Sequence, residues 1–131
     1  MALFDTHTHL YLSDFDADGG GEAAVARAVE AGVEAMLMPN VDLSTIAPLR
    51  SLQERCPGRV YAAMGLHPTE VGASWRDDVA QALDAVAATD VAIGEVGMDL
   101  YWDRTFRDEQ MQALEMQALR AVELDLPLVI H

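Results

Sequence analysis

Two rhythms of apolar and polar positions alternate along the chain. Short unbroken apolar runs stand at 35–38, 60–64, 91–93 and 126–130, each bounded by glycine, proline or polar residues. Runs of this length predict buried strands. Between them the apolar positions fall three and four apart, which predicts helices. Residues 22–31 place Val25, Ala28 and Val29 on one face, with Gly32 as a stop signal. Residues 44–55 form a helix closed by Pro57-Gly58, and Asp77 or Asp78 opens another with Val79, Leu83 and Val86 inward. The last helix, over about 106–125, carries Met111, Leu114, Ala118 and Val122 as its expected inward stripe. Ahead of all these lies a first strand over 3–10.

Strand then helix, four times over and closed by a fifth strand, implies a parallel sheet covered by helices. An open doubly wound sheet and a (β/α)8 barrel both satisfy that order. The first strand–helix turn lacks a Gly-x-Gly-x-x-Gly loop, since Gly19-Gly20-Gly21 lie well past the strand end. Polar residues instead close several strands: His9, His67, Glu95 and His131. Functional side chains at the carboxyl ends of many strands are the mark of a barrel mouth. The expected architecture is therefore a single α/β domain over 1–131, a partial (β/α)8 barrel of five strands and four helices, truncated at the fifth strand. A complete barrel takes about 250 residues. The expectation is either a cut piece or a shortened protein that completes its sheet by association.

The first strand, Leu3-Phe4-Asp5-Thr6-His7-Thr8-His9-Leu10, changes the picture from fold to chemistry. Strand alternation puts Asp5, His7 and His9 on one side. Two imidazoles at i and i+2 reach a single divalent ion, and a neighbouring carboxylate can hold a ring in place. A packing role alone gives no reason to gather three ionisable groups on a core strand. Asp14, Asp16 and Asp18 suggest half of a calcium loop, but Glu22 comes too soon for that spacing, which leaves a connecting loop.

Composition narrows the class further. Net charge is −14, with 22 acidic residues against 8 basic ones, all arginine. Such a surface argues against broad binding along a phosphate backbone. It does not exclude a nucleic-acid substrate, because bound cations reverse the local field. No apolar stretch approaches the roughly 20 residues of a membrane span, and no basic-then-apolar leader opens the chain. One cysteine, Cys56, rules out an internal disulfide and fits a reducing, cytoplasmic setting.

All four histidines, at 7, 9, 67 and 131, fall at predicted strand ends. Asp5-Thr6-His7-Thr8-His9-Leu10, Gly65-Leu66-His67-Pro68, Gly94-Glu95-Val96-Gly97-Met98-Asp99 and Pro127-Leu128-Val129-Ile130-His131 together resemble, in order and spacing, the motifs of the TatD family of metal-dependent deoxyribonucleases. That resemblance implies two divalent ions (zinc, manganese or magnesium), with His7 and His9 on one, His131 on the second and Glu95 bridging them. It implies a catalytic part for Glu95 and for His67, the latter contacting substrate or phosphate, and supporting parts for Asp5, Asp99 and Tyr101. Thr69 and Glu70 stand where the family often carries a further histidine. The family's sixth-strand His and eighth-strand Asp lie beyond residue 131, so the 131-residue chain alone is expected to be inactive. The implied reaction is hydrolysis of phosphodiester bonds in DNA from an end. Two alternatives stay open: a related barrel hydrolase acting on amides, lactones or phosphate esters, and a non-catalytic remnant that self-associates through its open edge.

Overall fold

The computed structural model describes residues 1–131. Five strands make one parallel sheet: β1 (Leu3–Asp5), β2 (Val33–Pro39), β3 (Val60–Met64), β4 (Ala92–Val96) and β5 (Leu128–Ile130). Each strand lies beside its predecessor, in the spatial order β1-β2-β3-β4-β5. A doubly wound sheet reverses direction at a switch point; this one never does, so the sheet is a barrel wall. Helices α1 (Gly20–Glu30), α2 (Ile46–Arg55), α3 (Trp75–Asp84) and α4 (Arg107–Leu124) fill the connections. The five strands and four helices are those the apolar runs predict.

The core lies between sheet and helices. Met36, Met38, Val60, Ala62 and Met64 pack against Val25 of α1 and Leu49 and Leu52 of α2. A second cluster joins Val71, Trp75 and Val79 to Ala113 of α4, and a third joins Ile93 and Val96 to Ala121. Behind α2, the guanidinium of Arg50 grips both oxygens of the buried Asp90 and donates to Ala85 O at 2.8 Å. The Asp90 carboxylate also accepts from Ala87 N at 2.9 Å, tying the α3–β4 connection to α2.

Three expectations need correction. The first strand ends at Asp5 rather than running to residue 10, because the Asp5 carboxylate accepts from His7 N at 3.1 Å and turns the chain out of the sheet. Helix α3 starts at Trp75, ahead of Asp77 and Asp78, and Trp75 is a buried anchor. On α4 the inward stripe is Gln110, Ala113, Gln117 and Ala121, whereas Met111 is 48 % and Val122 80 % exposed. Both strand edges, β1 and β5, are open, with Phe4 and Ile130 exposed.

Buried glutamines displace apolar residues from the inward face of α4 because they satisfy main-chain groups of distant loops. Gln110 accepts from Asp99 N at 2.8 Å and donates to Asp99 O at 2.9 Å. Gln117 does the same for Leu66, at 2.7 and 3.3 Å. Gly65 makes room for that amide: a Cβ there would lie 2.8 Å from the Gln117 oxygen.

Candidate metal centre

Because all strands run parallel, their carboxyl ends share one mouth. His7 and His9 follow β1, His67 follows β3, Glu95 sits within the end of β4, and His131 follows β5. Glu95 is buried at the centre. Its main chain is fixed by a bond from Glu95 N to Asn40 O at 3.2 Å, and Gly94 brings β4 close against β5. A Cβ at Gly94, where φ is +154°, would lie 2.7 Å from Val129 Cβ and O, so only glycine fits there.

The two carboxylate oxygens of Glu95 face different imidazoles. Oε2 stands 2.9 Å from His7 Nε2 and 3.4 Å from His9 Nε2, and the two Nε2 atoms are 3.2 Å apart. Oε1 stands 2.8 Å from His131 Nδ1 and 3.5 Å from His67 Nε2. The His7, His9, Glu95 group and the His67, Glu95, His131 group each gather their donor atoms within 4.8 Å. A buried carboxylate flanked by imidazole nitrogens is a donor set that suits zinc or manganese. The donor set therefore fits a divalent metal ion.

Burial presses the His9 and His67 imidazoles below their ordinary range, although the nearby Glu95 charge pulls the other way. Burial raises the Glu95 carboxyl, but bonds and charge from His131, His67 and His7 outweigh it and hold the group ionised. His131 is partly desolvated, yet hydrogen bonds to Glu95 and to Asp99 lift it above its usual value. Asp99 is held low first by the main-chain N–H of Tyr101, then by His131 Nε2 at 2.9 Å.

The histidines differ in their partners at Nδ1. His67 Nδ1 accepts from Thr69 N at 3.2 Å, capping a short 3-10 turn at Pro68–Glu70. The same Nδ1 lies 2.7 Å from Thr69 Oγ1, and Nε2 faces the mouth, 3.1 Å from His131 Nδ1. His9 differs. Its Nδ1 lies 2.9 Å from the Tyr11 hydroxyl, which itself donates to Pro39 O.

The structure brings His7, His9, His67, Glu95, Asp99 and His131 together as sequence reasoning expects. Two supporting residues behave differently. Asp5 caps a backbone N–H instead of steadying an imidazole ring. Tyr101 contributes its main-chain N–H to Asp99, while its ring is 83 % exposed and meets Trp102 edge-on at 4.8 Å. Tyr11, Asn40, Gln110 and Gln117 were not singled out from sequence. Only Gln110 and Gln117, seven apart and so near one helical face, left any periodic signal.

A parallel half-barrel with imidazoles around a buried carboxylate at its mouth defines the class: one half of a (β/α)8 barrel with a metal-ligand donor set at its mouth. More narrowly, the chain belongs to the family of TatD-related DNases, whose sequence profile matches residues 4–131. It is 35 % identical over 130 residues to YabD, a metal-dependent hydrolase of Bacillus subtilis, covering 98 % of this chain and 50 % of that protein. It is 33 % identical to the 3'-5' ssDNA/RNA exonuclease TatD of Pantoea, covering 98 % of this chain and 49 % of that one. The crystal structure of YjjV, a TatD homologue from Escherichia coli, superposes with a TM-score of 0.80 at 33 % identity, over 98 % of this chain and 50 % of that one. The chain thus spans about half the length of the curated relatives it matches.

Proposed function

We propose that this chain is the metal-binding half of a nuclease that hydrolyses phosphodiester bonds of single-stranded DNA or RNA from an end. The observation that carries this is Glu95, buried with each oxygen committed to a separate group of imidazoles. His7, His9 and Glu95 Oε2 would hold one divalent ion; His131 and Glu95 Oε1 would hold a second. Such ions, when bound, polarise a phosphodiester and make water nucleophilic at neutral pH. The protein's own residues do the rest. Glu95 stays ionised between the two positions, and Asp99 fixes the His131 ring through Nε2. His67 offers its Nε2 hydrogen to a phosphate oxygen. Relatives named as ssDNA/RNA exonucleases favour a nucleic acid over amides, lactones or small phosphate esters.

The test supplies the other half. Residues 1–131 fused to the matching carboxyl-terminal half of YjjV are incubated with a single-stranded oligonucleotide and manganese. Release of mononucleotides, abolished by a chelator and by Glu95→Gln, is expected. A folded fusion that releases none with manganese, magnesium or zinc overturns the proposal.

A second reading, a self-associating remnant, rests on the two open edges of the sheet, where Phe4 and Ile130 stand exposed.

A further inference from the structure

We propose that Tyr11 is a positioning residue that locks His9 in the tautomer able to bind a metal. This rests on the reading of His7, His9 and Glu95 as an ion site. The hydroxyl of Tyr11 has one proton, and that proton points to Pro39 O, a carbonyl that can only accept. The same hydroxyl oxygen stands 2.9 Å from His9 Nδ1, so at this contact it accepts. His9 must then carry its hydrogen on Nδ1, which leaves the Nε2 lone pair bare. Nε2 is the atom that faces His7 Nε2 at 3.2 Å and Glu95 Oε2 at 3.4 Å. The chain Pro39 O, Tyr11 hydroxyl, His9 Nδ1 thus aims a lone pair at the centre before any ion arrives.

The placement is built, not incidental. Tyr11 is buried in the cluster with Val25, Met38 and Leu52, so its ring cannot swing away. Pro39 ends β2, so the carbonyl that takes the hydroxyl proton belongs to the rigid sheet. The ring of Tyr11 meets that of His9 edge-on, with centroids 5.7 Å apart. Fixing the non-ligating nitrogen of a metal-bound histidine commonly changes affinity by about 10- to 100-fold. Tyr11 thereby acts on the ion through His9 and touches neither ion nor substrate itself.

The experiment uses the whole chain and its Tyr11→Phe variant, which keeps the buried ring and removes only the hydroxyl. Long-range proton–nitrogen NMR of the metal-free wild type is expected to show His9 with its hydrogen on Nδ1; His9→Asn identifies the resonance. In Tyr11→Phe that preference is lost, and zinc affinity, measured against a competing chelator, falls about 10- to 100-fold. A wild-type His9 with its hydrogen on Nε2 overturns the proposal, as does a folded Tyr11→Phe variant that binds zinc as tightly as wild type. Should Tyr11→Phe not fold, the wild-type spectrum alone decides. Wild-type protein that binds no zinc, yet shows the Nδ1 tautomer held by Tyr11, overturns the ion-site reading and leaves the tautomer lock standing.

Discussion

Gln117 and Leu66 are joined by a two-point clasp: the buried amide accepts from Leu66 N at 2.7 Å and donates to Leu66 O at 3.3 Å. Leu66 is the residue before His67, so α4 holds the loop that presents His67 to the mouth. Nothing else in the core would satisfy those two main-chain groups. Replacing Gln117 by Leu leaves both unpaired, and each unpaired buried group costs about 1–3 kcal/mol. Urea unfolding of Gln117→Leu should therefore show a loss of about 2–6 kcal/mol. The exposed Gln112→Leu on the same helix should stay within about 0.5 kcal/mol of wild type. Equal effects from the two substitutions would remove the clasp as a structural element.

The same distinction between ligand and donor makes His67 separable from its neighbours. His67→Gln should leave the number of zinc ions bound per chain unchanged, since the proposed function uses His67 as a donor to phosphate and its Nδ1 accepts from Thr69 N. His131→Gln should lower that number, because His131 Nδ1 is the imidazole nitrogen nearest Glu95 Oε1, at 2.8 Å. Mass-spectrometric metal analysis after dialysis distinguishes them. Loss of an ion in His67→Gln would make that residue a ligand after all.

Arg50 and Asp90 form the one ion pair in which the carboxylate is fully enclosed. Asp90→Ala strands a guanidinium against α3 and frees Ala87 N. Removing one member of a buried pair costs about 3–5 kcal/mol; Arg50 keeps some solvent contact, which places the expected loss near 3 kcal/mol. Thermal and urea unfolding measure it. The double change Arg50→Met with Asp90→Leu should recover part of that loss.

Open edges make a prediction about assembly. β1 and β5 each present an unpaired row of main-chain groups, and α4 leaves Met111, Leu119 and Val122 exposed. Sedimentation velocity of the isolated chain should show concentration-dependent association, reversed when the other half of the barrel is supplied in trans. A clean monomer at every concentration would remove the self-associating reading.

How much of this was legible in the sequence follows from where each residue finds its partners. β3 was readable to the residue, because an unbroken apolar run sits between Pro57-Gly58 and Gly65. The first strand was overextended because the apolar–polar alternation continues past Asp5, while the carboxylate that breaks the strand is a local hydrogen-bond acceptor that periodicity ignores. The stripe on α4 was misplaced because that helix is apolar on its open flank as well, at Met111 and Val122. Its true inward face carries two glutamines whose partners, Asp99 and Leu66, lie 11 and 51 residues away. Tyr11 was missed for the same reason: its hydroxyl partner is Pro39 O, on another strand. The histidines and Glu95 were legible because a parallel sheet sends every strand end to one mouth.

The central claim is that Glu95 holds two ions between two groups of imidazoles. Equilibrium dialysis of the isolated chain against zinc, followed by elemental mass spectrometry, tests it most directly. Two ions per chain should be retained by the wild type, and Glu95→Gln should lose both together, with its far-ultraviolet circular dichroism unchanged. A wild type that retains no zinc, or a folded Glu95→Gln that retains as much as the wild type, would contradict it.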